Sequence, residues 1–265
     1  MSTTIGFVGA TGGCALACLV KCLQTGVHCR ALVRTPDKLT SLLLAEVDKK
    51  TINEHLTIIP GNAKDESAVA KMLHTHAGDF VGKIVFGVGE LTSPILAHLF
   101  SSTELSGQSS GAAPKIKHLQ LALDDPTVCA DSMKTLLSAI KSLSFSTPPS
   151  LCFISTTGLN SATRDVPYLL KPVYACLKVP HIDKKNMETL VVATGDTLKG
   201  YVIVRPTLLS DGAERGAGKL KVGYGAGSPE IGYLVSRKDV GAWIFREFVM
   251  GSIGKESATE VTLTY

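Results

Sequence analysis

Residues 4–23 read TIGFVGATGGCALACLVKCL, an apolar run, a glycine-rich turn and a helix-like segment in direct succession. Ile5–Val8 predicts a strand and Gly13–Gln24 a helix. The turn between them has the spacing Gly9-x-x-Gly12-x-x-Ala15. Gly9 permits a tight exit from the strand. Gly12 has no Cβ, so backbone can approach a pyrophosphate, and Ala15 lets the helix lie close to the sheet. Phosphates placed there meet free N–H groups at the helix N-terminus, contributed by Thr11, Gly12, Gly13 and Cys14. A Gly-x-x-Gly spacing is weak evidence by itself. At the first strand-to-helix junction of an alternating chain it is strong.

Working outward, β-rich runs alternate with helical ones. Strands are predicted at His28–Val33, Leu56–Ile59, Lys83–Val88, Leu151–Ser155, Tyr201–Val204 and Glu260–Thr264. Helices are predicted at Pro36–Lys49, Glu66–His74, Asp125–Ser144 and Arg237–Val249. Strands with nearly continuous apolar content, separated by helices, imply a parallel sheet covered on both faces. Right-handed crossovers then give an α/β doubly wound, Rossmann-type fold. Ser101–Pro114, SSTELSGQSSGAAP, is polar and small and predicts a surface loop. The segment after Ser210 is glycine-rich with short β runs and predicts a small C-terminal lobe on the substrate side. The chain is thus expected to be one domain over 1–265, with substrate-side elements mainly in 156–182 and 207–236.

The 265 residues carry a formal charge of +4, and 45% are hydrophobic, as in an ordinary globular core. Lys and Arg form no stripe with interleaved aromatics, which argues against a nucleic-acid partner. No apolar run is long enough to span a bilayer, and no leader pattern opens the chain. A soluble, cytoplasmic protein is expected, with no membrane partner; a homodimer is left open. Of seven cysteines, Cys14, Cys18 and Cys22 recur every four residues and stack on one helical face. They are expected to be small buried hydrophobes, and no metal site is expected.

The end of the second strand bears on the coenzyme. An acid there would hydrogen-bond the 2′-hydroxyl of NAD. The sequence is CRALVRTPDKL, with Arg34 at that position. A guanidinium forks onto a 2′-phosphate that an acid would repel, so NADP (NADPH) is expected. Lys38 lies one turn later. Asn62, after the third strand, is placed to meet the adenine edge, and Asp65 is expected to cap the next helix. Gly87 and Gly89, after the fourth strand, leave room for adenosine and pyrophosphate.

The pieces GATGGCA, ALVRTPDKL, YVIVRPTLLSDG and VSRKDVGAWI together resemble the NmrA-like branch of the atypical short-chain dehydrogenase/reductase superfamily. They span most of the chain in the expected order. The resemblance implies a Rossmann domain with a small substrate-binding part. Members of that branch include NADP-dependent reductases of small molecules and also dinucleotide-binding redox sensors.

In active short-chain reductases a Tyr gives its proton to the carbonyl, and a Lys four residues on lowers its pKa and holds the nicotinamide ribose. A Ser or Thr after the fifth strand helps polarise the carbonyl. The resemblance offers Ser155, Thr156 and Thr157 for that hydroxyl, with Thr156 also near the coenzyme. Tyr174 and Lys178 form a Tyr-x-x-x-Lys match. Register favours another lysine. Lys184 stands four residues before Glu188, with Arg205-Pro206 following, and Pro180 then occupies the tyrosine position. Lys184 is therefore the expected ribose ligand, with a pairing to Glu188 as the alternative. His181, one turn earlier, and Tyr174 are the candidate proton donors. Arg205 is expected to anchor a strand end and Asp239 to pin the last helix. Tyr168, Tyr224 and Trp243 are candidate aromatic anchors, while Tyr233 is expected to face the core.

Two functions follow. One is an NADP-dependent reductase of a small carbonyl or conjugated organic substrate. The other is an NADP(H)-binding redox sensor without turnover. An isomerase or cyclase on the same fold is a third.

Overall fold

In β1, Ile5–Val8, Phe7 faces one helical layer and Val8 the other, and all four residues are buried. The same alternation recurs across the sheet: Val85 against Ile84 and Phe86, and Cys152 against Leu151 and Phe153. A strand with apolar side chains on both faces is stable only between two layers, and the sequence supplies helices for both.

The computed structural model describes residues 4–75, 78–89, 125–160, 163–254 and 256–265. Its main sheet has eight strands in the order β3-β2-β1-β4-β5-β6-β10-β8. They are β2 (Cys29–Val33), β3 (Leu56–Pro60), β4 (Lys83–Phe86), β5 (Ser150–Ile154), β6 (Gly200–Pro206), β8 (Lys221–Tyr224) and β10 (Ala258–Thr264) beside β1. All neighbours pair in parallel except β8, which runs antiparallel to β10 at the edge. β7 (Leu208–Ser210) and β9 (Leu234–Ser236) form a separate two-stranded parallel ladder. This is the expected doubly wound sheet.

One layer holds α1 (Gly13–Gln24), α2 (Pro36–Leu44) and α3 (Lys49–His55), with α8 (Arg237–Trp243) and the π-helical turn Ile244–Met250 after it. The opposite layer holds α4 (Glu66–Leu73), α5 (Val128–Ser142) and α7 (Lys178–Ala193), which follows α6 (Lys171–Cys176). Cys14, Cys18 and Cys22 are buried free thiols on the inner face of α1, as expected. Among the described residues no group of His, Cys, Asp and Glu is suited to a metal, and no helix is long and apolar enough to cross a membrane.

Several expectations are corrected. The helix predicted over Pro36–Lys49 is two helices, because Asp48 caps a new one by accepting from the Thr51 N–H at 2.9 Å. The last helix loosens into a π-turn at Ile244. Tyr233 is 53% exposed rather than facing the core, and Trp243, offered as an anchor, is 1% exposed inside it. The Ser101–Pro114 loop lies outside the described residues.

Candidate coenzyme and active site

The chain leaves β1 through Gly9, whose φ of +79° suits glycine. A Cβ there would meet the Gly87 carbonyl carbon and the Val88 nitrogen at 2.7 Å. The turn closes with the Gly12 N–H donating to the Gly9 carbonyl at 3.0 Å. Gly12 is the N-cap of α1 and supplies no side-chain cap, and the first turn contains no acid. The opening N–H groups of α1 thus lack the usual side-chain cap, and the helix's own first turn brings no negative charge to its dipole. Gly87 sits against this turn: a Cβ on it would lie 2.6 Å from the Ala15 Cβ. Its missing side chain therefore lets α1 approach β4, a packing role in addition to the room expected for a ligand. Cys14 is buried, and burial pushes its thiol up to about 12, so only its backbone is suited to hold an anion.

At the end of β2, Arg34 and Lys38 are both exposed. Arg34 makes no hydrogen bond or ion pair among the described residues. Asn62 accepts from the Lys64 N–H at 3.0 Å, forming a turn that leads to Asp65. Asp65 caps α4 as expected, accepting from the Ser67 and Ala68 N–H groups.

Lys184 faces inward from α7. Its ammonium donates to the carbonyls of Val88 at 2.8 Å and Ile154 at 2.7 Å, bridging the segments that follow β4 and end β5. It also lies 3.4 Å from where a Cβ on Gly89 would stand. Its field acts on Cys14, so Lys184 and the glycine turn share one neighbourhood. The pairing of Lys184 with Glu188 is not made. Glu188 is 3% exposed and takes both nitrogens of an Arg205 fork at 2.9 Å, while the Ser155 hydroxyl donates to it at 2.6 Å. Arg205 also reaches Glu260 at 2.7 Å. Arg205 thus anchors β6 as expected. Ser155, a candidate for polarising substrate, is 4% exposed and directed into this buried cluster instead. Thr156, beside it, is only partly buried.

Beside α7 lies a cleft of about 420 Å³, between the loop after β5 and helices α6 and α7. Gly158, Tyr174, Lys178, His181 and Lys185 line it with apolar neighbours. The Tyr174 hydroxyl lies 2.7 Å from Thr157 Oγ1, and the Tyr174 and His181 ring centroids are 5.3 Å apart. Burial pushes the Tyr174 phenol up, so it holds its proton more firmly than an ordinary tyrosine. Lys178, the other half of the Tyr-x-x-x-Lys match, begins a new helix and is exposed. Burial lowers His181 to about 4. At neutral pH it is the uncharged imidazole, which removes the proton that the sequence would have it donate. Asp165, 3% exposed, accepts from the Gly158 N–H at 3.0 Å, and its charge acts on Tyr174.

A family model described as NAD(P)H-binding matches residues 9–248. The chain belongs to that NAD(P)H-binding family. The NmrA-like resemblance fits this membership. Among curated relatives, Reductase pytE of Aspergillus terreus is 39% identical over 231 residues, covering 82% of this chain and 80% of that protein. Oxidase pynE of Aspergillus niger is 34% identical over 283 aligned positions, covering 98% of each. Among solved structures, the anaerobillin reductase ChuY of Escherichia coli O157:H7 superposes with a TM-score of 0.62 at 18% identity, covering 98% of this chain and 97% of that one. The oxidoreductase ylbE of Lactococcus lactis gives 0.62 at 14%, covering 98% and 91%. At those identities the likeness concerns the fold.

A nicotinamide dinucleotide fits the residues of this family member. Gly9 and Gly12 let the turn pack tightly against the Gly87–Val88 backbone, the first turn of α1 has no side-chain cap, and cations stand near it. One such cation was not legible in the sequence. Arg237 Cδ lies 2.3 Å from where a Cβ on Gly13 would be, so the side chain lies along the opening of α1. What brings it there is Gly241, one turn further along α8. A Cβ on Gly241 would meet the Cys14 oxygen and the Cys18 nitrogen at 2.7 Å, so α8 rests directly on the backbone of α1. Only the spatial contact reveals this, since Arg237 is more than 200 residues from the turn in sequence.

Proposed function

We propose that the protein is an NADPH-dependent oxidoreductase that reduces a small carbonyl or conjugated organic substrate. The observation that carries the coenzyme choice is the exposed Arg34 guanidinium at the end of β2, without a partner among the described residues, with Lys38 one turn on. It supplies a planar fork where an acid would select NAD. The oxidoreductase class is supported by the NAD(P)H-binding family and by relatives named reductase and oxidase.

A bound nicotinamide supplies or accepts hydride; the protein's own groups do the rest. The N–H groups opening α1 hold the pyrophosphate, and Arg34 holds the 2′-phosphate. Lys184, fixed by two carbonyls, offers its remaining N–H to the nicotinamide ribose. The cleft beside α7 takes the organic substrate, and Tyr174 donates its hydrogen to the substrate oxygen. Thr157 supports that donation. When its hydrogen turns from the Pro206 carbonyl, 3.4 Å away, toward Tyr174, the phenol O–H is freed for the substrate.

One observation favours the sensor reading. Among the described residues no cation lowers the Tyr174 pKa as the short-chain reductase mechanism requires, and Lys184 is committed to backbone carbonyls. The two readings separate in one experiment. Purified protein is titrated with NADPH and NADH by nicotinamide fluorescence, then assayed against aldehydes, ketones and conjugated enones. Preferred NADPH binding with oxidation of NADPH by at least one substrate class is expected. Tight binding with no turnover against the whole panel would establish the sensor instead.

A further inference from the structure

We infer that Arg237 is a coenzyme-binding residue, held in reserve by Asp211 and transferred to the pyrophosphate when the dinucleotide binds. This rests on reading the glycine turn as the pyrophosphate site. The stem of Arg237 lies along the turn, with Cδ and Nε 2.3 and 3.2 Å from a Cβ placed on Gly13. Arg237 is the strongest nearby charge acting on Cys14 in the first turn of α1, ahead of Lys184. Its guanidinium is paired with Asp211 at 2.7 Å.

The two partners are unequal. Asp211 is 88% exposed, whereas Arg237 is 25% exposed and rooted in α8 against α1. The cation is therefore fixed near the turn, and the carboxylate is a solvated acceptor that is readily exchanged. An exposed ion pair contributes little, so replacing Asp211 by a doubly charged pyrophosphate costs little and gains a charge-assisted fork. Asp211 also places a negative charge beside the anion site, which lowers affinity for any phosphate until the arginine turns inward. Arg34 and Arg237 then divide the coenzyme. The first reads the 2′-phosphate, and the second reads the pyrophosphate common to NADPH and NADH.

The test measures dissociation constants of NADPH, NADH and adenosine 2′-phosphate for wild type, Arg237→Gln, Asp211→Asn and Arg34→Ala, with thermal melting to establish folding. Arg237→Gln is expected to weaken NADPH and NADH by the same factor, about tenfold. Adenosine 2′-phosphate, which has no pyrophosphate, is expected to bind unchanged. Asp211→Asn is expected to tighten both dinucleotides severalfold, and its exposed side chain lets the substitution leave the fold intact. Wild-type binding of both dinucleotides with no loss in Arg237→Gln, or with no gain in Asp211→Asn, overturns this inference while leaving the coenzyme reading intact. Wild type that binds neither dinucleotide overturns the coenzyme reading itself.

Discussion

The Lys184 ammonium lies 2.7 Å from the Ile154 carbonyl oxygen and so ties α7 to the C-terminal end of β5. With the Val88 carbonyl at 2.8 Å it has two fixed acceptors and one hydrogen to spare. In doubly wound sheets, ligands lie beyond the carboxyl ends of the strands, and this hydrogen is presented there. Lys184→Met is therefore expected to reduce NADPH affinity about tenfold, equivalent to ~1.4 kcal/mol, and to lower turnover further. Stability should fall by about 1–3 kcal/mol, as two carbonyls lose a charged donor. Fluorescence titration, steady-state kinetics and denaturant melts read the three effects separately. Unchanged affinity and turnover in a destabilised variant would make Lys184 a purely structural tie.

Glu188 and Arg205 form a buried fork that also holds Ser155. Removing one member strands a buried charge, which is more costly than losing the pair as a whole. Arg205→Met is expected to destabilise by about 3–5 kcal/mol, and Ser155→Ala by about 1 kcal/mol. Urea unfolding measures both. A large loss of turnover in Ser155→Ala at unchanged stability would return Ser155 to the chemistry.

His181 binds its proton less readily in the folded chain than the ordinary value of 6.5 implies, because burial lowers it to about 4. The unfolded chain therefore takes up about one more proton between those values. Stability from this group is complete above pH 6.5 and declines as pH falls toward 4. In His181→Phe that component disappears. The stability difference between variant and wild type should be flat above pH 6.5 and shift in favour of the variant below it. A difference that is constant from pH 7 to 4 would show that His181 titrates normally.

Tyr174, the proton donor of the proposed mechanism, is hydrogen-bonded to Thr157 at 2.7 Å. Tyr174→Phe is expected to lower kcat by about 10²–10⁴-fold, the range for removing a general acid, with little effect on NADPH binding. Thr157→Val should produce a smaller loss in kcat. Full activity in Tyr174→Phe would mean that the proton comes from solvent or from another group.

The sheet and the glycine turn were legible because each depends on local pattern. Apolar strands buried on both faces and a Gly9–Gly12 junction are written in contiguous residues. The capping of α4 by Asp65 was readable for the same reason. Asp48 was missed as a cap because the helical pattern continues through it and hides the break. The roles of Ser155 and Glu188 depend on Arg205 arriving from β6, and that of Arg237 depends on α8 resting on α1 through Gly241. Such contacts join distant segments, and no periodicity announces them. Burial shaped the rest. It makes the uncharged imidazole the resting form of His181 and pushes the Tyr174 phenol above its ordinary value, and neither shift is a property of residue type alone.

The central claim is that Arg34 grips a 2′-phosphate. Calorimetric titration of wild type and Arg34→Ala with NADPH and NADH tests it most directly. Arg34 is exposed and has no partner among the described residues, so the substitution should leave the fold intact. Wild type should prefer NADPH by roughly 10–100-fold, the worth of a charge-assisted fork, and the variant should bind the two coenzymes nearly equally. Wild type binding NADH as tightly as NADPH, or a preference for NADPH that survives in Arg34→Ala, would contradict it.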